Sequence, residues 1–111
     1  MAFANIYAVQ KFEKSGVHKA PLADAEHLHL GLLCLEPGQG QESHSHKDSD
    51  KVYFVVEGVA TVTVGGETRE LGPGTLALAK AGEPHGLWNK GRDRLTVVAI
   101  AAPPPPAHGK A

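Results

Sequence analysis

Short apolar runs alternate with turn residues along most of the chain from Leu28 onward. The runs are rich in valine, leucine and threonine, and glycine or proline separates them, which is typical of strands joined by tight turns. The clearest unit reads ATVTVGGETREL, in which Gly65 and Gly66 can supply the positive φ angles of a two-residue hairpin turn. Further turns are predicted at residues 36–40, 71–74 and 81–84. The pattern predicts an all-β barrel or sandwich.

The two ends of the chain are less regular than its middle. Between Val17 and Leu28 a helical turn is an open alternative, although Pro21 lies within it and the apolar spacing is poor. Four prolines at residues 103–106 predict an extended polyproline II segment that cannot join a central strand. We therefore predict an N-terminal strand or arm at 1–27 that packs on the barrel, a barrel at 28–102, and a proline-rich tail at 103–111, with His108 on its surface.

Length and charge exclude several classes of function. A chain of 111 residues is expected to form one domain with one modest core. The net charge is -1, and no stripe of lysine and arginine suggests a nucleic-acid partner. Cys34 is the single cysteine, which fits a reducing compartment, and no apolar segment approaches the ~20 residues of a membrane helix. We expect a cytoplasmic protein without membrane or nucleic-acid partners.

Candidate metal ligands lie in the stretch HSHKDSDK, at His44 and His46. In an extended chain the two side chains project to the same side, about 6.6 Å apart along the backbone. Two imidazoles placed in this way can bind one metal ion. Taken alone, such a pair is more often two solvated histidines.

Two longer stretches give the histidines a context. Residues 38–58 resemble the first motif of the cupin superfamily, G(x)5HxH(x)3-4E(x)6G, and residues 74–89 resemble the second, G(x)5PxG(x)2H(x)3N. The matching residues are Gly38, His44, His46 and Gly58 in the first, and Gly74, Gly82, His85 and Asn89 in the second. The resemblance implies a cupin double-stranded β-helix, that is, a small jelly-roll barrel of two facing antiparallel sheets, commonly a homodimer.

The same resemblance implies a metal site. Its ligands would be His44, His46 and His85, holding one divalent transition metal ion inside the barrel. Neutral imidazoles suit iron, zinc, nickel, manganese and copper to varying degrees, so the identity of the metal stays open.

The glutamate of the first motif has no single counterpart. Counting back six residues from Gly58 puts Lys51 in its place, whereas leaving three residues after His46 puts Asp50 there. Neighbouring residues of a strand face opposite sides, so the two alternatives exclude each other unless a bulge intervenes. We favour Lys51, because the segment HKDSDK accommodates an extra loop residue more easily than the strand that follows. The proline of the second motif is also replaced, by Lys80.

Each alternative turns a different face of this strand inward. Asp50 would bring in Val52, Phe54 and Val56, which form the more apolar set, whereas Lys51 would bring in Tyr53 and Val55. With Lys51 inside, the apolar set lies outside the barrel, where a partner subunit can cover it.

A lysine in the glutamate position changes the expected chemistry. A protonated amine has no lone pair, so three histidines would hold the metal and leave open positions. Without a ligand charge, the site should attract a small anionic or enolisable organic molecule, which Lys51 and Tyr53 would orient as catalytic residues. The resemblance favours a mononuclear three-histidine oxygenase. A metal-dependent isomerase or lyase, a non-catalytic domain that binds a small metabolite, and a metal-independent structural protein are the alternatives.

Four other residues are candidates for a place near the site. Glu42 shares the face of the histidine pair and could be a ligand, although a solvated loop acid is the simpler interpretation. His27 and His29 could line a pocket if their strand presents them inward, but we expect them on an exposed strand face, with Leu28 and Leu30 packed inside. Trp88 is expected in the core or an interface.

Overall fold

The protein is described by a computed structural model over residues 2–105, in which nearly all regular structure is β-strand. The helix α1 spans Ile6–Val9, and the strands are β1 His18–Asp24, β2 His29–Leu35, β3 Gly40–His44, β4 Asp50–Glu57, β5 Ala60–Val64, β6 Glu67–Leu71, β7 Leu76–Ala79, β8 His85–Trp88 and β9 Leu95–Ala102. The all-β prediction is confirmed. No helix among these residues is long and apolar enough to cross a membrane.

The strands form two antiparallel sheets. The five-stranded sheet has the order β1-β2-β9-β4-β7, and the four-stranded sheet has the order β3-β8-β5-β6. Every strand pair in both sheets is antiparallel. The predicted barrel of two antiparallel sheets is therefore confirmed. The segment around Pro21 is strand β1 at the sheet edge rather than a helical turn.

Glycine allows two tight features of the chain. Gly65 begins the turn between β5 and β6 with φ at +60°, and it is the glycine of this pair with a positive φ, as a type II′ hairpin turn requires. Gly58, which closes the first motif, has φ at +83°, and a Cβ there would lie 2.4 Å from the carbonyl oxygen of Arg94. Gly58 is therefore required by both its backbone conformation and its close contact.

The main core lies between the two sheets. Inward side chains of β2, β4, β5, β8 and β9 form it, among them Leu33, Tyr53, Val62, Leu87 and Val97. Each of these side chains is almost fully removed from water, and burying one of this size contributes about 1.5–3 kcal/mol relative to leaving it exposed. This packing fixes the distance between the sheets, and with it the space for a site at one end of the barrel.

A second apolar layer covers the part of the outer face of the five-stranded sheet that β2 and β9 form. Leu32, Cys34 and Val98 point outward and are buried by the N-terminal segment, which contributes Ile6 and Phe12. Leu30 belongs to this layer, so the expectation that it packs inside the barrel is wrong. Burial raises the pKa of the Cys34 thiol, which suits a packing residue rather than a nucleophile.

The beginning of the proline-rich tail lies against the barrel. The hydroxyl of Ser49 donates a hydrogen bond of 2.6 Å to the carbonyl oxygen of Pro103, and Pro105 is buried. His108, expected on the surface of the tail, lies outside the described residues.

Candidate metal centre

Three histidine rings converge at one end of the barrel. His44 ends β3, His46 follows it, and His85 begins β8, which pairs with β3 so that His44 and His85 stand opposite each other. The ring centroids are 4.5 Å apart for His44 and His85, 5.1 Å for His44 and His46, and 5.8 Å for His46 and His85. One nitrogen from each ring lies within 4.8 Å of the others. The histidines of the two motifs thus form a group that could hold one metal ion.

Backbone carbonyls orient two of these rings. Nδ1 of His44 is 3.0 Å from the carbonyl oxygen of Glu42, and Nδ1 of His85 is 2.9 Å from that of Glu83. A carbonyl oxygen can only accept, so each Nδ1 carries the proton and donates it. The lone pair of each neutral ring therefore lies on Nε2, the atom left to bind a metal.

The buried Nε2 of His85 has no hydrogen-bond partner. A buried polar atom without a partner is costly, and native proteins rarely retain one without a reason. Burial lowers the pKa of His85, and the neighbouring His44, Lys51 and His46 lower it further, against the opposing effect of the hydrogen bond to the Glu83 carbonyl. Burial, then Lys51 and His44, lower the pKa of His46. Both rings are held in the neutral form that ligates metals.

Lys51 lies across from the histidines on the five-stranded sheet. Its side chain lines the cavity next to His44 and His46, and its Nζ is 5.6 Å from the ring centroid of Tyr53. Burial lowers the pKa of Lys51, and the charge of Lys19 lowers it further. Asp50 is exposed, and its carboxylate accepts a 2.9 Å hydrogen bond from the backbone N–H of Ala81. The residue in the glutamate position that faces the histidines is therefore Lys51.

Tyr53 lies beneath the histidines, two residues after Lys51. Its ring is 5.9 Å from that of His85, it is 1% exposed, and its hydroxyl has no hydrogen-bond partner. Burial raises the pKa of this hydroxyl well above its ordinary value, so it stays protonated and can donate. Two buried polar atoms of the site thus lack a partner, namely the Tyr53 hydroxyl, which can donate, and Nε2 of His85, which can accept.

The group opens into a cavity of about 970 Å³ between the sheets. Small side chains at Gly31, Ala99 and Ala101 line part of it, and the walls carry polar groups of both signs. Lys19 of β1 and Lys51 of β4 supply positive charge, and Asp24 and Glu42 supply negative charge. A cavity of this size accommodates a small organic molecule.

Sequence reasoning misplaced one cavity residue. His29 was expected on an exposed strand face, but it lines the cavity and its Nδ1 is 2.6 Å from a carboxylate oxygen of Asp24. His27 is exposed as expected. Glu42 reaches His44 through its backbone carbonyl, and its carboxylate is not part of the group of ligand atoms in the described residues.

The second motif supports the site through its turn. The backbone N–H of Gly82 donates to the carbonyl oxygen of His46 at 2.8 Å, which ties the turn before β8 to the first motif. At Lys80, which replaces the motif proline, the backbone N–H donates to the carboxylate of Glu83 at 2.9 Å. A proline could not make this bond. With lysine in place of proline, the turn at Lys80 is therefore held by this hydrogen bond and not by a rigid proline ring.

The last motif residue, Asn89, is structural. Its buried amide donates to the carbonyl oxygens of Leu35 and Asp93 and accepts from the N–H of Gly91. Trp88, expected in the core or an interface, is half-buried, and its ring lies where a Cβ at Gly40 would clash. These contacts hold β8 against β3, and so hold His85 near His44.

Comparisons with known proteins agree with this geometry. The family model described as "Cupin domain" matches residues 31–101. The crystal structure of TT1209 from Thermus thermophilus has 35% sequence identity and a TM-score of 0.89, over 93% of this chain and 98% of that one.

Two relatives from Streptomyces also match. The protein SCO3923 of Streptomyces coelicolor is 35% identical over 69% of this chain and 71% of its own length. The tetracenomycin polyketide synthase protein TcmJ of Streptomyces glaucescens is 32% identical over 67% of this chain, and the match spans half of TcmJ. With two antiparallel sheets, the histidine group and a family match over most of the barrel, the chain belongs to the cupin-domain family.

Proposed function

We propose that the chain binds one divalent transition metal ion through Nε2 of His44 and His85 and a ring nitrogen of His46, and acts on a small organic molecule in the adjoining cavity. The observation that carries the proposal is the buried, unpaired Nε2 of His85 within a group of three ring nitrogens. A bound redox-active ion such as Fe²⁺ supplies dioxygen chemistry, and one such as Zn²⁺ supplies Lewis-acid polarisation.

The charges around the site favour an anionic or readily enolised substrate. Three neutral imidazoles do not offset the charge of a divalent ion, and the ammonium groups of Lys51 and Lys19 add positive charge in the same cavity. In this proposal Lys51, which lines the cavity, attracts the negative group of the substrate. Tyr53 has a buried hydroxyl without a partner next to the cavity wall, and it donates to a substrate oxygen that reaches it. Both residues act in this proposal by orienting the substrate.

A three-histidine oxygenase is the first candidate reaction class. Its support is the ligand set, which has no carboxylate and has a lysine in the glutamate position. A metal-dependent isomerase or lyase uses the same residues and is the second candidate. The similarity to TcmJ, a tetracenomycin polyketide synthase protein, supports an enolisable substrate. Polyketide chains carry carbonyl groups on alternate carbon atoms, and a CH₂ group between two carbonyls is readily enolised.

The test is oxygen uptake by the Fe²⁺-loaded protein with a panel of small organic acids and β-diketones. For an oxygenase we expect substrate-dependent uptake that falls at least about a hundredfold in His85→Ala, which removes one ligand of the metal. The matched control is His27→Ala, because His27 is exposed and is not part of the ligand group. Its uptake should equal that of the unmodified chain.

The other outcomes discriminate between the remaining functions. Loss of substrate without oxygen uptake assigns the chain to the isomerases or lyases. A ligand that raises the melting temperature without being converted assigns it to the non-catalytic binding domains. Equal uptake in His85→Ala and the unmodified chain contradicts the proposed ligand.

A further inference from the structure

A second positive group faces the cavity from the edge of the five-stranded sheet. Lys19 lies on β1, the edge strand, and it lines the same cavity as Lys51 of β4. Its neighbour Ala20 packs against the second apolar layer, on the outer face of the sheet. Neighbouring residues of a strand point to opposite faces, so the side chain of Lys19 is directed toward the cavity.

The strand register limits the distance between the two lysines. Lys19 pairs with Leu33, which pairs with Val97 of β9, whereas Lys51 pairs with Ala101 of the same strand. The offset of four residues along β9 corresponds to ~13 Å, and the three strand spacings from β1 to β4 correspond to ~14 Å. The two Cα atoms are therefore at most about 20 Å apart.

The two ammonium groups act on each other across the cavity. Burial lowers the pKa of Lys51, and the charge of Lys19 lowers it further, which means that the two cations repel each other. Neither of them forms an ion pair with any of residues 2–105. A molecule with two anionic groups would neutralise both cations and relieve their repulsion.

The acidic side chains of the cavity do not serve this purpose. Asp24 contacts His29 at 2.6 Å, and Glu42 has an exposed side chain on β3, in the other sheet. Neither carboxylate forms an ion pair with Lys19 or Lys51.

Small residues leave room between the two cations. Gly31 of β2 pairs with Ala99 of β9, in the row between that of Lys19 and that of Lys51. Both small residues line the cavity. An extended carbon chain can therefore lie over this row.

We propose that Lys19 binds a second anionic group of the substrate, so that the substrate class is an extended dicarboxylic acid. One carboxylate lies at the metal and Lys51, the other lies at Lys19, and the carbon chain between them crosses Gly31 and Ala99. This inference rests on the proposed function for the position of the first carboxylate. Lys19 acts as a specificity-determining residue, because it contacts the end of the substrate that is remote from the metal.

The experiment compares each dicarboxylate with its half-amide, which has the same length and one charge fewer. Binding to the Zn²⁺-loaded protein at low ionic strength is measured by amide NMR titration for succinate and succinamate, adipate and adipamate, and suberate and suberamate. In at least one of the two longer pairs the dicarboxylate should bind about two- to fivefold more tightly, as expected for one exposed ion pair. In the shortest pair the second carboxylate does not reach Lys19, so this gain should be absent.

The variants assign the gain to one side chain. Lys19→Gln should abolish it, and Lys19→Glu should reverse it, so that the half-amide binds more tightly than the dicarboxylate. The matched control is Lys14→Gln, the same change at an exposed lysine that does not line the cavity, and it should retain the gain. Lys19 is exposed on an edge strand, so neither replacement removes a core contact.

Three results would overturn the assignment, namely an undiminished gain in Lys19→Gln, a gain of the same size at all three lengths, or no gain at any length. The half-amides test the proposed function separately, because they carry only the first carboxylate. Half-amides that bind the metal-free protein as tightly as the Zn²⁺-loaded one contradict the proposed function, whereas failure of the gain from the second carboxylate contradicts the role of Lys19.

Discussion

Asp50 and Lys51 are neighbours in β4 that face opposite sides of the five-stranded sheet. Lys51 lines the cavity beside the histidine group, whereas Asp50 accepts a hydrogen bond from the N–H of Ala81 on the exposed side. The place where the family motif has an anionic ligand therefore holds a cation. This substitution distinguishes the site from one with three histidines and a glutamate, and it can be reversed.

Replacing Lys51 by glutamate should strengthen metal binding. Lys51→Glu removes a positive charge and adds a fourth, anionic ligand, so the affinity for Zn²⁺ or Mn²⁺ should rise at least about tenfold. Isothermal titration calorimetry measures the change. The control is Lys47→Glu, which makes the same charge change at an exposed position and should alter the affinity less than about twofold, because solvent screens it. Equal effects of the two variants would mean that Lys51 does not face the metal.

The stability of the metal-free protein should fall as the pH decreases through the range of histidine titration. The folded state lowers the pKa of His46 and His85, so the unfolded chain binds their protons first, from about pH 6.5 downward. Stability is thus complete above that pH and declines below it until the folded pKa values are reached. Thermal unfolding between pH 8 and pH 5 should show the decline.

The matched variants separate this effect from other titrations. His85→Gln and His46→Gln should each flatten the pH profile, and His27→Gln should leave it unchanged. A profile that is the same in all four proteins would show that the rings of His46 and His85 do not cause the decline.

Removing the hydroxyl of Tyr53 should not destabilise the protein. The hydroxyl is buried without a partner, so Tyr53→Phe should leave the free energy of unfolding unchanged or raise it by up to about 1 kcal/mol. Tyr53→Ala should cost about 3–5 kcal/mol, because it leaves a cavity in the core. Urea unfolding measures both, with Tyr7→Phe as the control at an exposed tyrosine. A loss above about 1 kcal/mol in Tyr53→Phe would mean that the hydroxyl has a structural partner.

We expect a homodimer that covers the outer face of β4 and β7. Phe54, Leu76 and Leu78 are 37%, 57% and 48% exposed, and Phe54 pairs with Leu76 across the two strands. An exposed patch of large apolar side chains is typical of a surface that binds another protein. We predict that a second copy of this chain covers it. Light scattering should give twice the mass of one chain for the unmodified protein. Leu76→Lys should lower the measured mass toward that of the monomer. Thr68→Lys, the control at an exposed position of β6, should leave the mass unchanged. A monomeric unmodified chain would contradict the prediction.

The ligand group could be predicted from the sequence, whereas His29 could not. The spacing of His44, His46 and His85 within two motifs was sufficient, because the motif glycines and turns fix the chain locally. In β2 the residues from Leu32 to Leu35 are all buried, so the alternation that would reveal the inward side is absent. Without that alternation, the sequence pattern led us to expect His29 on the exposed side of the strand.

The same limitation explains the second apolar layer. The N-terminal segment has no clear periodicity, and nothing local indicates that Ile6 and Phe12 cover the outside of the sheet. The inward and outward faces of β4 are both apolar, which made Asp50 and Lys51 hard to distinguish by pattern alone. The orientation of the histidine rings depends on carbonyls of Glu42 and Glu83, and sequence spacing does not show it.

The proposed metal centre is tested most directly by the metal stoichiometry of the protein after incubation with Co²⁺ and desalting, measured by elemental analysis. We predict about one equivalent per chain in the unmodified protein and in His27→Ala, and less than about a tenth of an equivalent in His85→Ala. Circular dichroism confirms that each variant is folded. An unmodified chain that retains no metal, or a His85→Ala variant that retains as much as the unmodified chain, would contradict the proposed metal centre.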